Sequence, residues 1–359
     1  MFYFIIKRIL YGILVLFGVV SLVFFLFNLL PGDPARLMLG QRADNNSIEM
    51  IRKDIGTDRP IQWQYLKYLN DVSPLSIFNF KDKNSYFFLD KKKYKKRFEL
   101  FKISDNVIIL KAPYLRRSYQ SKEFVSEIIS SSFLNTFILA FSAMFFASIV
   151  GIFFGIIAAI KKDSWYDRSL LVLSAFGMSL PSFFAAILVG WIFAFVLGKY
   201  TGLNLTGNLY VIDDFGEGEF LQLKNLILPA FTLGIRPLAI ILQLSRNSLL
   251  EVLEQDYIRT AKAKGLSYVR IIRKHALKNS LNPVLTSISG WFASLMAGVV
   301  FIEYIFGWKG LGYIIVDALN KYDLPIVMGC VIFISLIFIL TNIIVDLIYK
   351  RLDPRVKLM

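Results

Sequence analysis

The stretch at residues 9–30, ILYGILVLFGVVSLVFFLFNLL, decides the fold class. It carries no charged residue, and it is long enough to cross the hydrocarbon core of a bilayer as one α-helix, which takes about 20 apolar residues. Lys7 and Arg8 precede it and Pro31-Gly32-Asp33-Pro34 follow it, with no small-x-small cleavage site. The run therefore reads as a retained span and not as a removable leader. Five further runs have the same character, near 133–160, 170–197, 226–244, 284–302 and 324–349.

A chain of 359 residues that is 56% hydrophobic and 19% charged holds more apolar material than one soluble core uses. The expected fold class is an all-α polytopic membrane protein with about six transmembrane helices, because helices satisfy their own backbone groups in lipid. Six spans place both termini on one side, and the basic residues say which. Lys7 and Arg8, then Lys161, Lys162 and Arg168, then the connector 246–283, then Lys350, Arg351, Arg355 and Lys357 all fall on one face. Lys and Arg accumulate in short cytoplasmic loops, so the N- and C-termini are expected to be cytoplasmic. The connector 246–283 alone holds eight Lys/Arg against Glu251, Glu254 and Asp256. The opposite connectors, 199–225 and 303–323, are mildly acidic. Residues 31–131 carry KKKYKKR at 91–97, yet loops of that length largely escape the charge rule. Most of the net charge of +15 is thereby explained by topology, and no nucleic-acid partner is implied.

Three parts follow: 1–30, a first transmembrane helix; 31–131, an extracytoplasmic loop or small domain; and 132–359, a five-helix core. Within the second part, 45–55 and 60–69 read as helices, with Pro60 suited to a first turn. Residues 106–110 read as a short strand, and 123–132 lead helically into the second span. Gly, Ser and Ala recur at helical spacing, as in Ser148, Gly151 and Gly155, or Ser174, Gly177 and Pro181, or Ala293, Ala297 and Gly298. Small residues let helices approach closely in lipid, so these stripes read as bundle packing. Arg236, followed by Pro237, lies midway along the fourth run. Such a residue is costly in a membrane, and it lines a translocation path, pairs with a neighbouring helix or lies nearer an interface than these boundaries place it. Asp346 is expected to snorkel or to pair with Lys350. The single Cys330 allows no intrachain disulfide, and the lone His275 supports no multi-His metal site; no cofactor is expected.

The connector 256–283, DYIRTAKAKGLSYVRIIRKHALKNSLNP, is too polar to cross a membrane and too apolar for a free tail. Asp256 can cap a helix over 257–264, Gly265 suits the left-handed residue after its end, and Ser267 can cap a second helix to about Asn279. Pro283 then opens the next span. Tyr257, Ile258 and Ala261 share one face of the first helix, and Val269, Ile272 and Ala276 share one face of the second. Such a pair either lies on the membrane surface or seats in a groove of a cytoplasmic partner.

These residues carry a resemblance. Tyr257, Arg259-Thr260-Ala261, Ala263-Lys264-Gly265-Leu266, His275-Ala276-Leu277, Asn279 and Pro283 resemble the cytoplasmic "EAA" loop of permease subunits of binding-protein-dependent ABC importers, in the dipeptide, oligopeptide and nickel branch. Arg259 and Thr260 stand where the general consensus has Glu and its first Ala, whereas Ala261 and Gly265 match it. Leu30-Pro31-Gly32-Asp33-Pro34, Leu228-Pro229-Ala230, Leu249-Leu250-Glu251-Val252-Leu253, Glu303 with Ile305-Phe306 and Gly310-Leu311-Gly312, Val345-Asp346 and Leu352-Asp353-Pro354-Arg355 add to it. Lys309 replaces the Pro usual before Gly-Leu-Gly, and 74–113 looks like an insertion relative to most members.

The resemblance implies a multi-pass inner-membrane permease subunit of an ATP-driven importer. Its implied partners are a second permease subunit in a heterodimer, two cytoplasmic ATPase subunits, an extracytoplasmic solute-binding protein and membrane lipid. The implied ATPase-coupling residues are Asp256, Tyr257, Arg259, Thr260, Ala261, Ala263, Lys264, Gly265 and His275, in the loop 246–283. No G-x-x-x-x-G-K-[ST] phosphate loop occurs, so the energy has to come from another polypeptide. Di- or oligopeptides are the leading solute, with nickel or another small solute as the alternative. A membrane enzyme lacks clustered catalytic side chains here, and a secondary transporter calls for more charges within the spans.

Overall fold

The computed structural model of the chain describes residues 2–29, 48–50, 52, 56–82, 85–90, 93–94, 97–212, 218–297 and 299–352. The expected helix at 45–55, the Leu30-Pro31-Gly32-Asp33-Pro34 motif, Gly298 and Asp353-Pro354-Arg355 fall wholly or largely outside them. Among the described residues four helices are long and apolar enough to cross a membrane. They lie in α1 (Phe2–Leu29), α3 (Val125–Ile160), α7 (Lys224–Leu253) and α13 (Leu324–Leu352). The run expected at 9–30 is thus helical, and the helix carrying the second run begins at Val125, as the helical lead-in expected at 123–132 calls for.

The third run differs from a single straight span. It is divided into α4 (Trp165–Ser179) and α5 (Ser182–Gly190), which continues as a π-helical stretch, Trp191–Val196, and is followed by the short α6 (Gly198–Thr201). The two halves are bent by 109°. The break falls at Leu180, which has φ −71 and ψ 128, before Pro181. Proline disfavours the α conformation in the residue before it and supplies no backbone donor, and here the helix stops.

Residues 224–253 absorb two prolines, Pro229 and Pro237, without a break. Beyond α8 (Asp256–Ala263), α9 (Tyr268–Arg270) passes through a π-helical stretch, Ile271–Ala276, directly into α10 (Leu277–Ala297). Pro283 therefore lies inside α10 and opens nothing, and the second connector helix does not end at Asn279. The fifth expected run, 284–302, is carried by α10 and α11 (Val300–Ile305) with non-helical Val299 before the latter. Lys278, Asn279, Ser280 and Asn282 make the first half of α10 polar, and α10 is not among the helices apolar enough to span alone. The last elements before α13 are α12 (Leu311–Asn320) and, earlier, the hairpin of β4 (Tyr210–Ile212) and β5 (Glu219–Leu221).

The chain divides into two compact units. One gathers 132–313 with the first residues to Arg8 and those from Leu336 onward. Its core includes Leu139, Ala143, Ala147, Leu228, Leu233, Ile241, Val284, Met296, Phe306 and Trp308. Gly151 and Gly155 of α3 lie directly against α7, where a Cβ would come 2.9 Å from the Leu238 carbonyl and 2.6 Å from that of Leu242. Only glycine permits that approach, as the bundle-packing reading of the stripe expects. In the same unit Arg8 of α1 pairs with Asp346 of α13 at 2.8 Å, and the Lys350 side chain expected beside Asp346 lies outside the described residues.

The other unit gathers 9–131 with 314–335. Helix α2 (Ile61–Val72) follows Pro60, which stands just before it with ψ 145 and not inside its first turn. The expected strand is the middle of a three-stranded antiparallel sheet, β1 (Leu75–Asn79), β3 (Asn106–Lys111) and β2 (Arg97–Ile103), in that order. Alternation along β3 buries Val107 and Ile109 with Phe78, Leu89 and Tyr94. Asp71, only 2% exposed, accepts a hydrogen bond from the Tyr94 hydroxyl and lies 3.7 Å from Lys93 Nζ.

Candidate functional site

The segment singled out by the sequence is a helical hairpin built on a glycine. Helix α8 ends at Ala263, and Gly265 turns the chain with φ +77, in the left-handed region that side chains other than glycine's rarely adopt. Ser267, with ψ 146, then starts α9, although its side chain makes no capping bond. Gln255 occupies the cap position of α8, so Asp256 is a first-turn residue and not the cap. A carboxylate there still favours the helix, because its N-terminus carries partial positive charge. Asp256 meets Arg259 at 3.3 Å, and the Thr260 hydroxyl donates to the Asp256 carbonyl at 3.0 Å.

One face of the hairpin is inward. Ile258 and Ala261 pack with Ile271 and Ala276 against Ala159 at the end of α3 and Leu249 at the end of α7. Tyr257, expected on this face, is 41% exposed, and its hydroxyl accepts a hydrogen bond from Asn279 Nδ2 at 2.9 Å. Val269 is exposed, and Ile271 takes the inward position expected of it. The π-helical stretch shifts the register between Val269 and Ile272, which a regular 3.6-residue count cannot anticipate. Asp256, Arg259, Thr260, Ala263, Lys264 and Gly265 form the outward surface, and His275 is half-buried in the π-helical stretch. The structure thus brings together every expected coupling residue on one hairpin, with Ala261 as its inward anchor.

An ion pair that sequence reasoning missed lies nearby. Arg246 of α7 clasps Asp167 of α4 with two bonds, Nε to Oδ1 at 2.6 Å and a terminal nitrogen to Oδ2 at 2.7 Å. Asp167 is 2% exposed and also accepts from the Asp163 backbone at 3.0 Å, while Ser164 caps α4 by accepting from the Asp167 N–H. The visible signal was the pattern Ser164-x-x-Asp167, an N-cap followed by an acidic third residue.

Midway along α7, Arg236 is exposed and borders a cavity of about 170 Å³ together with Pro237, Thr232, Ser182, Trp291 and Ser294. Its guanidinium lies 6.0 Å from the Trp291 ring centroid. Among the described residues Arg236 forms no ion pair, and its side chain is exposed at the border of that cavity.

A third constellation gathers around Glu303, which is fully buried. Its carboxylate accepts from Thr136 Oγ1 at 2.6 Å, from the Gly312 N–H at 2.6 Å and from the Tyr313 N–H at 3.1 Å. The Thr136 hydroxyl in turn accepts from the Leu311 N–H at 2.8 Å. The carboxylate therefore satisfies the first turn of α12, whose amides have no helical acceptor. A Cβ on Gly310 would strike that carboxylate, and one on Gly312 would strike the Val300 backbone, which accounts for both glycines of Gly-Leu-Gly. Lys309, in place of the usual Pro, lends its carbonyl to Asn135 Nδ2 at 2.9 Å. Among the described residues no group of His, Cys, Asp and Glu has the arrangement of a metal site.

Comparison with known proteins places these features. The family model for the binding-protein-dependent transport system inner membrane component matches residues 151–358, and that for the N-terminal part of such membrane components matches 1–83. The dipeptide transport system permease protein DppB of Alkalihalophilus pseudofirmus is 33% identical, over 98% of both chains. The di/tripeptide transport system permease protein DppB of Pseudomonas aeruginosa is 32% identical, over 95% of this chain and 94% of its own. The glutathione transport system permease protein GsiC of Pectobacterium atrosepticum is 33% identical, over 98% of both.

Proposed function

The chain belongs to the family of binding-protein-dependent transport system inner membrane components, and from that premise we propose that it forms half of the translocation path of a peptide importer, driven through α8. It is a membrane permease subunit of an ABC importer and not an enzyme; ATP is hydrolysed by a separate chain and solute is delivered by a binding protein. The peptide solute is carried over from relatives named for dipeptide, di/tripeptide and glutathione transport.

One observation supports α8 as the coupling element above the others. Its apolar face is fixed by Ile258 and Ala261 onto the ends of α3 and α7, while Asp256, Tyr257, Arg259, Thr260, Ala263, Lys264 and Gly265 face outward. A partner that grips the outward face moves α3 and α7 as one rigid body. The Asp167–Arg246 pair adds α4 to the same body. Helix α7 then carries the displacement to Arg236 and Pro237, which this reading places on the path.

The topology completes the proposal. Counting the bent pair α4–α5 as one span and α10–α11 as another gives six, with both termini cytoplasmic. The Arg8–Asp346 pair, joining the start of α1 to the end of α13, supports placing the termini on one face. The second permease subunit is a different chain, two ATPases bind on the cytoplasmic side, and the external residues 31–131, with the inserted sheet near 74–113, contribute to binding-protein docking. Purifying the tagged chain from detergent-solubilised membranes tests the assembly. A second permease and an ATP-hydrolysing chain are expected to co-purify; a chain that purifies alone and moves peptide without ATP contradicts it.

A further inference from the structure

We infer that Arg236 and Trp291 form a subsite for the carboxylate end of the transported solute. The inference rests on the reading of Arg236 as part of the path and says what that part recognises. A guanidinium midway along an apolar helix is costly unless something repays its desolvation. Nothing within ion-pair reach does so among the described residues, and Arg236 is exposed at the wall of the 170 Å³ cavity.

The cavity's chemistry is one-sided. Its polar groups include one cation and the hydroxyls of Ser182, Thr232 and Ser294, and among the described residues no carboxylate, imidazole or thiol lines it. Arginine presents a planar fork of donors that matches a carboxylate with two parallel bonds. The Ser182 and Ser294 hydroxyls can donate to the same oxygens or to an adjoining carbonyl, whereas Thr232 donates to the Leu228 carbonyl at 2.8 Å and can only accept. The Trp291 ring centroid lies 6.0 Å from the guanidinium, at the outer limit of cation–π contact, and offers an aromatic wall to the same cavity. A cationic solute such as a bare divalent metal ion meets repulsion here and no ligand.

Size sharpens the choice. Drug-sized ligands fill roughly 300–1,000 Å³, so a cavity of about 170 Å³ takes a chain end and a small side chain, not a whole peptide. Beside it lies an open surface depression on α10, formed by Ser287, Gly290, Trp291 and Ser294, the last two of which also line the cavity. The rest of an extended peptide has room there, against small side chains that offer hydroxyls and no bulk. The subsite therefore reads a free C-terminal carboxylate, whatever the side chains behind it.

The test uses the complete importer, with its second permease, ATPases and binding protein, in proteoliposomes. The probes are trialanine and trialanine amide, which differ only in the terminal charge. Loss of charge-assisted hydrogen bonds is worth about tenfold or more, so the wild type is expected to take up the acid at least about tenfold faster than the amide. In Arg236→Gln that ratio is expected to fall to about one, with Arg236→Lys between the two because it keeps the charge but not the fork. Binding-protein-stimulated ATP hydrolysis, measured on the same vesicles, reports that each variant is assembled. A ratio unchanged in Arg236→Gln and Arg236→Lys overturns the inference and places the discrimination elsewhere, as in the binding protein, while leaving the peptide reading intact. A wild-type ratio of one also overturns it alone. Uptake of neither probe by the wild type overturns the inference together with the peptide reading.

Discussion

Thr136 and Glu303, 167 positions apart in the chain, share a hydrogen bond of 2.6 Å in the core. The same hydroxyl accepts from the Leu311 N–H, so one side chain joins α3, α11 and the start of α12. Replacing Thr136 by Val keeps the volume and removes both bonds, leaving a buried carboxylate and a buried amide short of a partner. The expected loss is about 1–3 kcal/mol, read as a lower thermal midpoint of the detergent-solubilised protein. Thr136→Ser is expected to retain most of the stability.

Asp167 and Arg246 form a buried two-bond clasp with side-chain exposures of 2% and 15%. Removing one partner strands the other charge, at a cost of about 3–5 kcal/mol. Asp167→Ala is expected to lower the midpoint by more than the double variant Asp167→Ala/Arg246→Leu, in which no charge is left behind. If the double variant is the less stable of the two, the clasp stabilises through more than mutual neutralisation.

The three-stranded sheet β1–β3–β2 depends on Asp71 in the same way. Its carboxylate faces the Tyr94 hydroxyl and Lys93, and its carbonyl receives Lys111 Nζ. Asp71→Ala is expected to open residues 74–113 to limited proteolysis while the apolar helices stay protected. Wild-type protease resistance in that region would show that the aromatic packing of Phe78 and Tyr94 suffices.

Much of this architecture is written in local sequence. The run at 9–30 and the helix Ile6–Asn28 coincide because length and hydropathy alone decide that a segment is helical in lipid. Gly265 announced its turn because only glycine takes φ +77 without strain. Proline was the less reliable marker: Pro181 breaks a span, whereas Pro229, Pro237 and Pro283 ride inside helices. Neighbouring helices can satisfy the backbone groups a proline frees, and that compensation is tertiary. For the same reason Asp167 gave no sign of its partner in α7, and Glu303 stood out only through its motif while Thr136 did not. The cavity beside Arg236 needed Trp291 from α10, and no spacing within α7 points to that ring.

The most direct test of the account is the ratio of peptide moved to ATP hydrolysed by the reconstituted importer carrying Arg259→Glu. Arg259 is largely exposed on α8, so the reversal disturbs the outward surface and not the packing of Ile258 and Ala261. The account predicts an intact complex that still hydrolyses ATP while uptake falls by about tenfold or more, as expected from losing a charged interface contact worth roughly 2 kcal/mol. Uptake and hydrolysis at the wild-type ratio and rate would contradict the assignment of α8 as the coupling element.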